Sequence, residues 1–319
     1  MRDGDCLLIS ARVLKAGQKP QDRRHSFTNA VILNVWRYVM ATVFMFPGQG
    51  SQALGMGAEL FERYPDLVAE ADAILGYSIK ELCLVNPDDK LNSTDYTQPA
   101  LYTVNVLSFL AKVEDEEIRP DFVIGHSLGE YDALYTAGAF DFATGLKLVQ
   151  KRGALMRAAT GGGMAAVLGM DGDAVATALA ELGADSIDVA NFNSPRQTVI
   201  AGLKVDIETF APQLKEKGAN RVVILPVSGA FHSRYMKPAA EEFEAFLAGF
   251  SFDSLKVPCI ANCSAEPYTD ESIAPNLVRQ IYSSVRWIDT VKGLREQGAD
   301  TFVEVGPGTV LSGLARQIT

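Results

Sequence analysis

Hydrophobic positions from Ala41 onward fall into short apolar segments that alternate with longer amphipathic ones. The short segments are typical of buried strands and cover residues 42–46, 122–124, 257–261 and 301–305. The amphipathic segments have helical spacing and cover about 97–112, 141–157, 237–249, 271–283 and 288–297. Pro99 suits the first turn of its helix, where no amide donor is needed. Strands that alternate with helices predict an α/β fold with a mostly parallel sheet covered on both faces.

The pattern changes between residues 164 and 227, where the order is strand, helix, strand, strand, helix, strand. This βαββαβ order is typical of a ferredoxin-like layer. Glycines at 161–163 precede it and Ser228-Gly229 follows it, and such residues are natural crossing points between domains. We therefore predict a small inserted subdomain at 162–227 and a larger subdomain formed by 41–161 and 228–319.

Residues 1–40 differ in charge from the rest of the chain. They carry seven Lys and Arg against three Asp and Glu, whereas the remainder is strongly acidic. Met40 directly precedes the first predicted strand. Our hypothesis is that residues 1–40 are an extension and that Met40 is the natural start, which N-terminal sequencing of protein from its source would test.

Composition excludes several classes of function. The net charge of −10 argues against nucleic acid as the main partner. No apolar run reaches the length of about 20 residues that a membrane-spanning helix needs, so we expect a cytoplasmic protein. The four cysteines, Cys6, Cys83, Cys259 and Cys263, are too scattered for a disulfide framework or a zinc site. We expect reduced, structural cysteines, no metal and no bound organic cofactor.

A candidate nucleophile follows the predicted strand at 122–124. Gly125-His126-Ser127-Leu128-Gly129 has the GxSxG spacing of a nucleophile elbow, in which a tight turn exposes the serine between a strand and a helix. The start of the helix favours the oxyanion that forms during attack. The motif alone is weak evidence, but the strand before it and the helix after it strengthen the interpretation.

An activated serine needs a base, and the chain has three histidines. His25 lies in the atypical first 40 residues, and His126 is the immediate neighbour of Ser127 on a tight turn, where adjacent side chains diverge. His232 is therefore the candidate base. The group that orients His232 cannot be chosen from the sequence: it is either an Asp or Glu, as in a triad, or a backbone carbonyl.

Seven segments occur in an order and spacing that identify a family. They are FPGQGSQ (46–52), GHSLGE (125–130), LVQKRGALM (148–156), VANFNSP (189–195), GAFHS (229–233), RQIYSSVRW (279–287) and EVGPGTVLSGL (304–314). Together they resemble the malonyl-CoA:acyl carrier protein transacylases, the acyltransferases of fatty acid and polyketide synthesis. The resemblance covers the chain from Ala41 to its end.

The resemblance implies an α/β-hydrolase-like core with a ferredoxin-like insertion. It implies that Ser127 attacks the thioester of malonyl-CoA while His232 takes its proton, and that the backbone amides of Gln49 and Leu128 form the oxyanion hole. The acyl-serine would then pass its malonyl group to the phosphopantetheine thiol of an acyl carrier protein. Coenzyme A is thus part of a substrate and a product, not a cofactor.

The resemblance also implies how the acyl group is chosen. Arg152, close to the apolar face of its helix, matches the arginine that holds the free malonyl carboxylate in a bidentate contact, although such a residue can also lie at a helix rim. Phe231 matches the form associated with malonyl, because its ring leaves little room for the extra methyl group of methylmalonyl. Further predicted substrate-binding residues are Asn191, Gln280 and His126.

Two other functions remain open at this point. An acyl hydrolase of the same fold would let water attack the acyl-serine, but such relatives tend to lack the arginine that Arg152 matches. An inactive scaffold that binds carrier proteins would not need Ser127 and His232. The segment at 76–107 looks more like discrete acyltransferases of modular polyketide synthases than like the fatty acid enzyme, which predicts an enzyme that serves its carrier in trans.

Overall fold

A computed structural model describes residues 41–319. The extension predicted at 1–40, with Cys6 and His25, lies outside the described residues. The strands are β1 (Ala41–Phe46), β2 (Phe122–Gly125), β3 (Gly162–Leu168), β4 (Ile187–Ser194), β5 (Gln197–Leu203), β6 (Arg221–Ile224) and β7 (Ala299–Glu304). The helices are α1 (Ala58–Arg63), α2 (Pro65–Leu75), α3 (Ile79–Leu84), α4 (Thr94–Glu116), α5 (Gly129–Ala137), α6 (Phe142–Ala158), α7 (Gly172–Glu181), α8 (Lys204–Glu216), α9 (Lys237–Leu247), α10 (Ile273–Tyr282), α11 (Trp287–Glu296) and α12 (Val310–Ala315).

The first sheet is parallel and has the strand order β2-β1-β7. Successive residues of β1 point to opposite faces, and all of them from Val43 to Phe46 are buried. Phe44 and Phe46 pack into the large core, whereas Val43 and Met45 pack into a second core with residues of α11 and α12. The predicted parallel sheet with two covered faces is therefore confirmed.

The predicted strand at 257–261 is wrong. Cys259 forms only an isolated parallel bridge with Val123 of β2, and the neighbouring Ile260 pairs with Pro267 instead. Pro258 accepts a hydrogen bond from the Val123 amide but has no N–H to donate, so a regular ladder cannot continue through it. The apolar run at this position reflects burial beside the sheet, not a strand.

The start of α4 also differs from the prediction. The helix begins at Thr94, so Pro99 lies inside it and not in its first turn. The polar residues before the apolar stretch start the helix: the Ser93 carbonyl accepts from the Tyr96 and Thr97 amides, and the Thr97 hydroxyl donates to the Leu91 carbonyl. Polar side chains that bond to nearby backbone favour such positions.

The second sheet is antiparallel and has the strand order β4-β5-β3-β6. A βαββαβ chain that gives this order is ferredoxin-like, as predicted. Ala165 and Val167 of β3 pack with residues of α7 and α8, whereas Met164, which points to the opposite face of the sheet, packs into the large core. The sheet lies within the segment predicted for the small subdomain, whose boundaries at 162–227 stay a prediction.

Three further findings concern the chemistry of the described residues. None of their helices is long and apolar enough to cross a membrane. Their side chains include no group of three or more His, Cys, Asp or Glu that could hold a metal ion. Cys83, Cys259 and Cys263 are buried, form no disulfide, and have thiol pKa values raised by that burial.

Candidate active site

A sharp turn between β2 and α5 exposes Ser127. Its backbone has a φ of 53°, in the left-handed region that non-glycine residues rarely occupy. The flanking glycines permit the turn, because a Cβ on Gly125 would lie 1.9 Å from the Gly129 carbonyl carbon. A Cβ on Gly129 would lie 2.0 Å from the Phe46 carbonyl oxygen. The predicted elbow is therefore formed, and both glycines are required by close approach of the backbone.

Asn262 holds the elbow from the opposite side. Its Oδ1 accepts from the Ser127 amide at 2.8 Å, and its Nδ2 donates to the Gly125 carbonyl at 2.7 Å. The side chain is buried, so both of its polar ends are satisfied inside the protein. A strained backbone of this kind persists only where its surroundings fix it, and Asn262 supplies two of the fixing contacts.

Ser127 and His232 form a hydrogen-bonded pair. The Ser127 Oγ lies 2.7 Å from His232 Nε2, and His232 Nδ1 lies 2.8 Å from the backbone carbonyl oxygen of Gln280. A carbonyl oxygen only accepts, so Nδ1 carries the proton and Nε2 is left to accept the serine proton. The orienting group that the sequence left open is thus a backbone carbonyl in this geometry.

The charge state of His232 suits a general base. Burial, together with the nearby positive charge of Arg152, lowers its pKa to about 3. The imidazole is therefore neutral at any ordinary assay pH. A neutral base next to a serine hydroxyl can take its proton without first losing one.

We expect the His232 imidazole to stay unprotonated between pH 8 and pH 5. The chain has three histidines, so nitrogen NMR of histidine-labelled protein can follow each ring once His232→Gln identifies its signal. Arg152→Ala should raise the pKa of His232 towards its usual value, because it removes the repelling charge. A His232 midpoint near 6.5 in the wild type would contradict the assignment.

Arg152 is a buried cation whose contacts are neutral. It lies in α6 with 1% of its surface exposed. Its Nη1 donates to Gln98 Oε1 at 2.7 Å, and its Nη2 donates to Gln280 Oε1 at 2.8 Å and to Ser127 Oγ at 3.2 Å. No carboxylate of the described residues lies within ion-pair distance of it, and its Nε has no partner among them. Such a group strongly favours an anion beside Ser127.

The loop after β1 approaches the elbow closely. A Cβ on Gly48 would lie 2.3 Å from the His126 carbonyl oxygen, so only glycine allows this contact. The next residue, Gln49, and Leu128 both line the cavity beside Ser127. Among the described hydrogen bonds, neither of their backbone amides has an acceptor. Two free amides that border the nucleophile suit the predicted oxyanion hole.

A cavity of about 310 Å³ lies beside Ser127. From the second sheet, Met164, Ala166 and Val199 give it an apolar wall. Phe231 and Asn191 also line it, and their roles in substrate binding stay predictions. The size suits a small acyl group with part of its carrier, since ligand pockets begin at about 300 Å³.

His126 and Gln280 differ in whether they reach the cavity. His126 lines the cavity, its Nε2 bonds with Asn193 Oδ1 at 2.8 Å, and its ring contacts Trp287 edge to face. Gln280 is fully buried and is not among the lining residues. It contacts Arg152, Ser127 and His232 instead, and a direct contact of Gln280 with substrate stays a prediction.

Four polar residues that contact the site were missed by the sequence analysis. They are Gln98, Glu130, Asn193 and Asn262, and all four are buried. Glu130 and Asn193 lie inside two of the motifs that identify the family, in GHSLGE and VANFNSP, which was the available signal. Gln98 and Asn262 lie outside those motifs, and nothing in the local pattern distinguishes them from ordinary buried amides.

Comparison with known proteins identifies the family. The model of the acyl transferase domain matches residues 43–317. The chain belongs to this family. It is 54% identical over 277 residues to a protein of Bacillus subtilis named polyketide biosynthesis malonyl CoA-acyl carrier protein transacylase PksC, covering 86% of this chain and 96% of that relative.

Solved structures of the family have the same fold. A malonyl CoA-acyl carrier protein transacylase from Burkholderia pseudomallei has a TM-score of 0.85 at 45% identity, over 88% of this chain and 98% of that one. A second structure is described as a type II polyketide synthase acyl-carrier protein in complex with its malonyl-transacylase. It has a TM-score of 0.83 at 39% identity, over 88% of this chain and 93% of that one. The predicted fold class is confirmed.

Proposed function

We propose that this protein transfers a malonyl group from malonyl-CoA to the phosphopantetheine thiol of an acyl carrier protein, through an acyl-serine at Ser127. The observation that carries the proposal is the buried Arg152, which has no carboxylate partner among the described residues and lies 3.2 Å from the Ser127 Oγ. The malonyl-CoA:acyl carrier protein transacylases among its relatives support the same function.

The first half of the reaction acylates the serine. His232 Nε2 takes the Ser127 proton as Oγ attacks the thioester carbonyl carbon, and the amides of Gln49 and Leu128 stabilise the oxyanion. When the carbonyl re-forms, the carbon–sulfur bond breaks and the imidazolium returns the proton to the coenzyme A sulfur. The Gln280 carbonyl keeps the Nδ1 proton in place throughout, so Nε2 alone exchanges a proton.

The second half repeats these steps with another thiol. His232 Nε2 takes the proton of the carrier phosphopantetheine thiol, whose sulfur attacks the acyl-serine carbonyl. The same two amides stabilise the second oxyanion. The serine–acyl bond then breaks, and the imidazolium returns the proton to Ser127 Oγ. One thioester is exchanged for another, and no cofactor or metal is needed for the balance.

The cavity selects the acyl group in two ways. Arg152 offers its guanidinium to the free carboxylate of a malonyl group on Ser127, since carboxylates match that fork. Phe231, a large ring in the same cavity, restricts room beside the acyl chain. One methyl group is worth only about 1–3 kcal/mol of discrimination, so exclusion of methylmalonyl is partial whereas the requirement for a carboxylate is strong.

The proposed setting is polyketide biosynthesis. The named relative from Bacillus subtilis belongs to that process, and the solved complex pairs a transacylase of this fold with a carrier protein. We propose a carrier protein as the second substrate, met in trans. Because both substrates carry phosphopantetheine thioesters or thiols made inside the cell, we propose the cytoplasm as the place of reaction.

A direct test mixes the wild-type protein briefly with malonyl-CoA, acetyl-CoA or methylmalonyl-CoA and follows intact mass. We expect a rapid malonyl adduct, a weaker methylmalonyl adduct and little acetyl adduct. An added phosphopantetheinylated carrier protein should then take the malonyl group, with no release to water on the same timescale.

Two results would overturn the proposal. Absence of any malonyl adduct would indicate a scaffold that binds carriers without turnover. Release of acyl groups from a preloaded carrier to water, faster than loading, would indicate an acyl hydrolase.

A further inference from the structure

Gln280 connects the three residues that act on the acyl group. Its Oε1 accepts from Arg152 Nη2 at 2.8 Å, and its Nε2 donates to the Ser127 carbonyl at 2.6 Å. Its backbone carbonyl accepts from His232 Nδ1 at 2.8 Å. The side chain is fully buried, so water cannot replace any of these contacts.

The direction of the Gln280 amide matters, because its two ends have opposite hydrogen-bonding character. Arg152 only donates, so it needs Oε1. If the amide were turned over, the NH₂ group would face the guanidinium, and two donors would meet in the protein interior. The guanidinium would then lose one of its acceptors and move from its place beside Ser127 Oγ.

Glu130 fixes that direction. Its Oε2 accepts from Gln280 Nε2 at 2.7 Å. Its Oε1 accepts from the Tyr268 hydroxyl at 2.6 Å and from the backbone N–H of Asn262 at 3.0 Å. The carboxylate is fully buried and lies at the start of α5, one turn beyond the nucleophile. Together with the Ser127 carbonyl, this acceptor is compatible with only one orientation of the Gln280 amide.

The surroundings of Glu130 stabilise its ionised form against the effect of burial. Burial raises the pKa of Glu130 to about 7, while its three donors and the charge of Arg152 favour the ionised form. The carboxylate is thus mostly ionised at pH 8. In that state it accepts on both oxygens, and it also balances part of the positive charge of Arg152 without touching it.

We propose that Glu130 is a positioning residue for acyl selectivity: it fixes the Gln280 amide, and through that amide it holds Arg152 where a malonyl carboxylate binds. This inference rests on the proposed malonyl transfer and deepens it. Glu130 touches neither the acyl group nor His232, so its effect should be felt mainly by substrates that use Arg152.

Glu130→Gln separates this role from simple packing, because it keeps the shape of the side chain and changes one acceptor to a donor. The backbone N–H of Asn262 can only donate, so the carbonyl end of the new side-chain amide stays beside it. Its NH₂ end then meets Gln280 Nε2, and two donors face each other. If the new side-chain amide is turned over, its NH₂ end instead meets the backbone N–H of Asn262, and two donors again face each other.

The experiment measures kcat/KM of Ser127 acylation at pH 8 with malonyl-CoA and with acetyl-CoA, which lacks the second carboxylate. For Glu130→Gln we expect the ratio of malonyl to acetyl kcat/KM to fall about tenfold to a hundredfold, as expected when a buried hydrogen bond is replaced by a donor conflict. The loss should lie mainly in KM for malonyl-CoA. Tyr268→Phe is the matched control, since it removes a hydrogen bond from the same carboxylate without adding a donor, and its ratio should fall far less than that of Glu130→Gln.

Gln280→Met tests the same chain of contacts by a second route and remains informative if Glu130→Gln does not fold. It should lower the ratio by a similar factor, and adding Glu130→Gln to it should lower the ratio no further. An unchanged ratio in a folded Glu130→Gln protein, or additive effects in the double variant, would overturn the inference. A wild type that forms no malonyl adduct would instead overturn the proposed function itself.

Discussion

His232→Ala is expected to slow malonylation of Ser127 by about 10²- to 10⁴-fold, the contribution typical of a positioned general base. The physical reason is the 2.7 Å contact between Ser127 Oγ and His232 Nε2, with the Nδ1 proton held by the Gln280 carbonyl. Without the imidazole, the serine proton has no neutral acceptor in contact with it. Rapid quenching of the reaction with malonyl-CoA, followed by intact mass analysis, measures the rate directly.

Two comparisons make this result specific. Ser127→Ala should leave no malonyl adduct at all, because it removes the oxygen that is acylated. His126→Ala should slow the reaction less than His232→Ala, because the His126 Nε2 bonds with Asn193 and not with Ser127. A His232→Ala rate within a few-fold of wild type would show that another group deprotonates the serine.

Arg152→Ala is expected to lower kcat/KM for malonyl-CoA by about 10²-fold or more, the range for loss of one partner of a buried charge pair. Acetyl-CoA has no carboxylate to pair with the guanidinium, so its kcat/KM should fall far less, and selectivity should largely disappear. The same acylation assay with both thioesters measures the change.

Arg157→Ala is the matched control for that variant. Arg157 lies on the same helix but is exposed. Its Nε donates to the Ser93 hydroxyl and not to Ser127. Its removal should change neither thioester rate. Equal losses for malonyl-CoA and acetyl-CoA in Arg152→Ala would mean that the arginine supports Ser127 generally and does not select the acyl group.

The sequence predicted the parts of the fold that depend on local pattern. The short apolar strand β1 and the glycines of the elbow are such features, because a buried strand and a tight turn each depend on adjacent residues. The predicted strand at 257–261 failed because a buried apolar run has no strand signature of its own, and Pro258 interrupts the ladder. The start of α4 was misplaced because polar residues before the apolar stretch begin the helix.

The site was predictable as far as side-chain chemistry is distinctive. Ser127, His232 and Arg152 come together in the folded chain. The glycine spacing indicated Ser127, the chain has only three histidines, and the family resemblance indicated Arg152. The carbonyl of Gln280 could not be predicted, because every residue has one and only the folded backbone places it. Glu130 and Asn262 were missed for a related reason: their contacts join segments more than a hundred residues apart.

Strand β3 serves two surfaces with alternate residues. Ala165 and Val167 belong to the interior beneath α7 and α8, whereas Met164 and Ala166 line the cavity. A larger or smaller side chain at either cavity position therefore alters the acyl chamber without entering the packing under the helices. Substrate range could accordingly diverge, or be redesigned, through every second residue of one strand while the layer that carries it stays intact.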